Sequence, residues 1–395
     1  MEHRAVKYFR EYLRIPTVHP DVEYDDCVKF LESLGTDCGL KCTIHGTSKK
    51  PIVLLTWQGT DKNAGSILLN SHMDVVPADK TRWTHDPFEA FKDESGNIYG
   101  RGSQDTKEIG IQYVEAIRCL IEEGIQPKRT VYISYVPDEE IGGIEGMGSF
   151  INTNEFQNLN IEFALDEGGA CPENKLIIFN DERCTAHLKI TCKGPTGHGS
   201  LLFENTAGEK LVKVLDELMN FRESQVMAVS KLPHPLLYLS YVTTVNLTKV
   251  EGGVQNNVVP PELSMTYDVR LSVNTDHEEF FDWIKAICSN AGKDVTYEIL
   301  EYNPKAPKTE TDESNRFWMA IKEALDEMNV EYNVVGCPGA TDARFVRRVG
   351  IPALGLSPMK NTPILLHSDN EMLNEKVFLE GIDIYKNIIR KLVNC

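Results

Sequence analysis

Five side chains able to bind a metal are spread along this chain of 395 residues, and each stands where an apolar run gives way to a turn. They are His72 in SILLNSHMDVVP, Asp105 in IYGRGSQDTK, Glu140 in VYISYVPDEEIGG, Glu167 in IEFALDEGG and His367 in TPILLHSDNE. Four of them follow β-type runs such as Ile67–Asn70 and Val131–Val136, the pattern of strands buried in a parallel sheet. In an open α/β sheet, chemistry gathers outside the carboxyl ends of the strands. Two imidazoles and three carboxylates form a mixed N/O set that suits zinc and has too few soft donors for copper(I) or iron–sulfur. Five donors exceed the need of one four-coordinate zinc. With one carboxylate bridging they serve two metals, each with room for a shared water, which is the layout of a hydrolase.

The order of elements supports this frame. Pro51–Trp57, Ser66–Asn70 and Thr130–Val136 read as strands, Lys107–Glu123 as a helix stopped by Gly124, and Lys175–Phe179 as a further strand. Alternation of strand and helix implies an α/β sandwich on a mostly parallel sheet. Near Asp181–Cys184 the character changes to strand (His187–Cys192), helix (Thr206–Phe221), strands (Leu239–Val250 and Leu263–Leu271), helix (His277–Ala291) and strand (Val295–Glu301). This β-α-β-β-α-β order is that of a ferredoxin-like unit. After a Pro-bearing linker the α/β pattern resumes with Asp312–Met328, Tyr332–Val335, Ala353–Leu356 and Glu375–Lys391. Four candidate ligands precede the insert and His367 follows it. The expected organisation is therefore a discontinuous metal-binding catalytic domain, 1–184 with 304–395, carrying an inserted domain, 185–303.

Bulk properties exclude several classes. The formal net charge of −18 and the lack of any Lys/Arg-rich stretch argue against nucleic acid and anionic membrane as partners. Hydrophobic content of 41% is that of a globular chain with a real core, and no run approaches a membrane span. The first residues read as a charged amphipathic helix, not a signal peptide. Cys38 and Cys42 stand close together with His45, but no second ligand pair follows. The ten cysteines are thus expected as free, mostly buried thiols of a cytoplasmic protein.

Singly, each candidate has an ordinary reading. Asp138-Glu139-Glu140 alone is a solvated acidic loop. After a strand, its two adjacent glutamates leave the chain in different directions, so that one can bind metal while the other remains a free base. His72 and Asp74 form a His-x-Asp pair in which the carboxylate could orient or polarise the imidazole. Asp105, after a Gly-rich bend, is otherwise a turn or capping aspartate. Glu167 and His367 pass individually as turn residues. Only their conjunction points to a site.

The stretches HMDVVP, GRGSQDTK, DEEIGG, LDEGG, GPTGHGS, EGGVQNNVVP, ATDAR and LLHSDNE resemble, in order, the family of co-catalytic zinc aminoacylases and carboxypeptidases. The resemblance runs from near residue 10 to the end, and PTGHGSLLFENTAGEK and SPMKNTPILLHSDNE tilt it towards the aminoacylases. It implies that His72, Asp105 and Glu167 hold one zinc and Asp105, Glu140 and His367 a second. Glu139 becomes the general base and acid, and Asp105–Thr106 matches a peptide often cis in the family. The inserted domain corresponds to a lid and dimerisation domain. His198 matches a histidine that stabilises the oxyanion across a homodimer. Asn257 and Arg270 match polar residues lining the substrate site, although Arg270 could also be a strand cation paired with Asp268 or Glu262. Arg344 is the sequence's candidate to grip a substrate carboxylate. The activity implied is hydrolysis of N-acyl-L-amino acids. Dipeptidase, carboxypeptidase or narrower deacetylase activity, or a catalytically silent binding protein, are the alternatives.

Overall fold

The computed structural model describes residues 2–235 and 237–395. They form two compact units: the chain through Asn180 with Ala306–Val334 and Thr341–Cys395, and Asp181–Lys305 with Val335–Ala340. The divisions fall at 180/181 and 305/306, where sequence character pointed to 184/185 and 303/304, and Val335–Ala340 groups with the smaller unit.

The larger unit is built on an eight-stranded sheet in the order Lys41–Gly46, Pro51–Trp57, Val131–Val136, Ser66–His72, Ile161–Asp166, Ala353–Leu356, Leu176–Glu182, Tyr332–Cys337, the last two running on into the smaller unit. Ser66–His72 pairs in parallel with Val131–Val136 and Ile161–Asp166, and Ala353–Leu356 lies parallel to Ile161–Asp166. Lys41–Gly46, Pro51–Trp57 and Val131–Val136 pair antiparallel, as do Ala353–Leu356 and Leu176–Glu182. The sheet is thus mixed, with parallel pairing confined to its centre. Parallel neighbours need a crossover such as the helix Lys107–Glu122, whereas the short turn from Gly46 to Pro51 allows only a hairpin.

Strand alternation feeds two apolar layers. Val53, Leu55, Ile67, Leu69, Ile133 and Tyr135 enter the larger one, and Ile52, Leu54, Leu68 and Val136 the smaller one on the other face. On the larger layer lie Arg4–Leu13, Lys107–Glu122 and Glu375–Leu392, where Phe9 stacks on Phe378 with centroids 4.5 Å apart. Lys107–Glu122 is buried along most of its length because it lies between the sheet and the terminal helix.

The smaller unit carries a four-stranded antiparallel sheet in the order Thr244–Gly252, Glu262–Leu271, Cys184–Lys193, Val295–Tyr302. Helices Ala207–Val229 and His277–Ala291 cover one face, packing Val214, Leu218 and Ile284 on Ala186, Leu188 and Ile190. A capping box between Thr206 and Glu209 starts the first helix, which continues past Phe221. The run read as a strand from Leu239 opens instead with a 3-10 turn, Leu239–Tyr241, and its strand begins at Thr244. Among the described residues no helix is long and apolar enough to cross a membrane, and no cysteine is in a disulfide.

Phe378→Ala removes a fully buried ring from the stack that joins the first and last helices. We expect a loss of about 3–5 kcal/mol of stability, read as a lowered urea midpoint for unfolding of the larger unit.

Candidate metal centre

The parallel centre of the sheet brings its strand ends to one edge. His72 is the last residue of Ser66–His72, Glu167 follows Ile161–Asp166, and Glu140 sits in the short 3-10 turn Glu139–Ile141 beyond Val131–Val136. Asp105 lies just before the helix Lys107–Glu122, and its peptide bond to Thr106 is cis. His367 comes from an irregular segment and has a left-handed backbone, φ +59°. Although dispersed in sequence, the five form two clusters, His72–Asp105–Glu167 and Asp105–Glu140–His367, with donor atoms inside each lying within 4.8 Å of one another. Asp105 belongs to both. Its Oδ1 is 2.9 Å from His72 Nε2, and its Oδ2 is 3.1 Å from His367 Nε2. His367 Nε2 also lies 2.9 Å from Glu140 Oε2, and His72 Nε2 3.6 Å from Glu167 Oε2.

The chemistry of this donor set fits a cation. His72 Nδ1 lies 2.8 Å from the Asp74 carbonyl, which can only accept, so Nδ1 carries the proton. In a neutral ring the Nε2 lone pair then faces the carboxylate oxygens of Asp105 and Glu167. Acceptors aimed at acceptors need a proton or a metal between them. Charge balance says the same. Burial disfavours charge on His72, yet Asp105 and Glu167 hold its pKa well above the ordinary value. Hydrogen bonds to Asp105 and Glu140 push that of His367 up to about 10. Burial and neighbouring carboxylates raise the acids Glu139, Glu140 and Glu167. Asp105 is also buried, but its two imidazole partners hold it well below the usual range. One oxygen of Glu140, Oε1, is buried without a hydrogen-bond partner. Divalent cations bound here would replace those protons.

Packing explains the glycine after Glu167. A Cβ on Gly168 would lie 2.3 Å from the Ser357 nitrogen, and one on Gly355 would lie 2.2 Å from the Glu167 carbonyl oxygen. Only bare backbone lets these two chains pass, and Gly168 N–H donates to Ser357 Oγ at 3.0 Å.

Asp74 acts on a different neighbour from the one its His-x-Asp spacing suggests. Its carboxylate is 3.7 Å from His72 Nδ1, beyond hydrogen-bond reach, and only its carbonyl holds the ring. The carboxylate instead accepts the backbone N–H groups of Glu139 (3.2 Å) and Glu140 (3.0 Å) and lies 2.8 Å from His19 Nε2. It therefore fixes the turn that presents both glutamates. Asp138, just before that turn, has a left-handed backbone (φ +66°) and is held by Tyr24 and Lys50. His19, Tyr24 and Lys50 were not legible as site residues. They lie far back along the chain in stretches without a motif.

Glu139 belongs to neither donor cluster and is nearly buried, with Arg344 Nη1 3.8 Å from its carboxylate. Arg344 is itself buried. Its guanidinium donates to the carbonyls of Thr341 and Gly142 and lies over the Phe345 ring at 4.5 Å. Arg347 is buried too, bonded to the Ala353 carbonyl.

The remaining candidates lie in the smaller unit. His198 is exposed, with Nδ1 2.8 Å from Ser200 Oγ, in a two-stranded ladder that pairs it with Val258. Asn257 is next to that partner, and its backbone carbonyl accepts Gly199 N–H at 2.7 Å. Arg270 forms a fork with Asp268, Nε to Oδ1 and Nη2 to Oδ2 both at 3.0 Å, and reaches Thr185 Oγ1 at 2.7 Å.

Comparison with known proteins gives the family and the fold. Residues 68–391 match the family model described as peptidase family M20/M25/M40. The chain is 46% identical to aminoacylase-1A of Rattus norvegicus over 394 residues, covering all of this chain and 96% of that protein. It is 44% identical to aminoacylase-1 of Homo sapiens, with the same coverage. Among solved structures, an M20 family metallo-carboxypeptidase from Sulfolobus solfataricus aligns over the whole of both chains with a TM-score of 0.77 at 18% identity, a likeness of fold.

Asp74→Asn puts an NH₂ group against the amides of the Glu139 turn. We expect the metal affinity of the metal-free protein to fall about 10–100-fold, measured by competition with a chromophoric chelator. Unchanged affinity would deny the carboxylate a role in holding Glu140.

Proposed function

The chain belongs to peptidase family M20/M25/M40, and on that footing we infer that it hydrolyses N-acyl-L-amino acids to a free L-amino acid and a carboxylate. The observation that carries this reading is a donor set split into two clusters sharing Asp105, with Glu139 next to Glu140 in the chain, electrostatically coupled to His72 and Glu167, and part of neither cluster. Full-length likeness to aminoacylases supports the substrate class.

We assign His72, Asp105 and Glu167 to one zinc ion and Asp105, Glu140 and His367 to a second. When bound, the two ions supply Lewis-acid polarisation of a carbonyl and acidify water. Glu139 takes the proton of the attacking water on its carboxylate and later delivers it to the departing amine nitrogen. Burial, which raises the pKa of Glu139, suits it to both transfers. Arg344 is assigned to grip the substrate's free carboxylate, and its Nη1, 3.8 Å from the Glu139 carboxylate, sets that grip beside the base. We assign the substrate's other polar groups to Asn257 and to the half-exposed Arg270. In this reading the protein is a cytoplasmic homodimer, with the smaller unit as lid and dimer contact, and the partner subunit's His198 donates to the developing oxyanion.

Purified protein given N-acetyl-L-methionine should release methionine, lose that activity to a chelator and regain it with zinc. Glu139→Gln should keep both metals while turnover falls about 10²–10⁴-fold. Loss of metal in that variant would contradict the division of labour between Glu139 and Glu140. Bound metal without release of methionine would move the activity to dipeptides or other acyl groups.

His198→Ala should lower turnover about 10²–10³-fold with an unchanged circular dichroism spectrum. Mixing His198→Ala with Glu139→Gln protein should restore part of the activity through mixed dimers, and no recovery would place His198 within its own subunit's chemistry.

A further inference from the structure

The two donor clusters are not anchored alike. His72 and Glu167 stand at the ends of central sheet strands, and the backbone beyond Glu167 is tied to Ser357. His367 has no strand beneath it, and its side chain is 47% exposed. What holds it is a buried ion pair distant in sequence from every donor but Asp105 and itself. Arg101 is 3% exposed and Glu371 fully buried, with Nη1 2.7 Å from Oε2.

Each partner of this pair also grips the other's loop. Glu371 Oε1 accepts Gln104 N–H at 2.7 Å and Ser103 Oγ–H at 3.3 Å, Oε2 accepts Gly102 N–H at 3.3 Å, and its carbonyl accepts Gly100 N–H at 3.0 Å. Arg101 donates to the Ser368 carbonyl at 3.2 Å and to the His367 carbonyl at 3.4 Å. The Gln104 side chain adds bonds to the Pro363 and Met372 carbonyls (3.0 and 2.8 Å) and accepts Leu365 N–H at 3.0 Å. The loop that ends in Asp105 and the loop that carries His367 are thus clamped by one charge pair and one amide. Removing either charge leaves the other buried and unpaired.

We propose that Arg101, Glu371 and Gln104 are positioning residues that set how tightly the Asp105–Glu140–His367 cluster holds its metal through His367, the donor with no strand beneath it, while His72 and Glu167 of the other cluster are held by the sheet. The proposal rests on the two-metal reading above. It makes the donors that are not shared, His367 on one side and His72 with Glu167 on the other, the source of the difference between the sites.

The test is zinc titration of the metal-free full chain against a chromophoric chelator, with circular dichroism as a check on folding. Wild-type protein should take up two zinc ions. Glu371→Gln should bind its first zinc with affinity close to that of wild type and its second at least ~10-fold more weakly. The tight first site reports within the same sample that the larger unit is folded. Arg101→Lys, which keeps the charge but shortens the reach to the His367 and Ser368 carbonyls, should shift the second site in the same direction and answers the question if Glu371→Gln does not fold. Two zinc ions held with wild-type affinity in the variants, or equal weakening of both sites, would overturn the proposal. A wild-type protein that takes up fewer than two zinc ions would overturn the two-metal reading and the proposal with it.

Discussion

One carboxylate, that of Asp105, has to face two imidazoles that the chain supplies from opposite ends. His72 meets one of its oxygens and His367 the other. Much of the larger unit serves that meeting. The parallel centre of the sheet delivers His72, Glu140 and Glu167 to a common edge, and the terminal helix Glu375–Leu392 packs on Lys107–Glu122, the helix that begins beside Asp105. A fold that left the chain after Lys305 undocked could not complete the second cluster.

Around that centre, several buried polar groups hold turns. Asp74 fixes the amides of Glu139 and Glu140, Tyr24 and Lys50 hold Asp138 in its left-handed conformation, and the Arg344 guanidinium ties the Gly142 carbonyl. Turns carry the donors because strand ends place backbone accurately while side chains beyond them are free to converge. Without such bonds the acids would repel one another apart, since burial and mutual proximity already disfavour their charge.

Much of this was legible in advance. Apolar runs ending in His72, Glu140 and Glu167 marked strands and their exits, because burial on both faces leaves a continuous hydrophobic signature. The partners of Asp74 and Arg344 were not. A His-x-Asp spacing places two side chains on one face of a strand only while the strand lasts, and it ends at His72, so Asp74 turns towards the Glu139 turn. Nothing in ATDAR indicates that the guanidinium of Arg344 is buried and donates to the Thr341 and Gly142 carbonyls. The antiparallel flanks of the sheet were missed for a related reason: strand patterns report burial, not the direction of the neighbour.

The sequence by itself determined the kinds of donor, the attachment of His72, Glu140 and Glu167 to strand ends, the class of fold and, through ordered motifs, the family. Those follow from local chemistry and periodicity, which each segment carries alone. Only the tertiary structure decided which oxygen of Asp105 faces which histidine, that Glu139 stands outside both clusters, and that Arg101 and Glu371 clamp two loops 270 residues apart. Those depend on where distant segments meet, and a hydrogen bond between far-separated residues leaves no periodic trace in the chain.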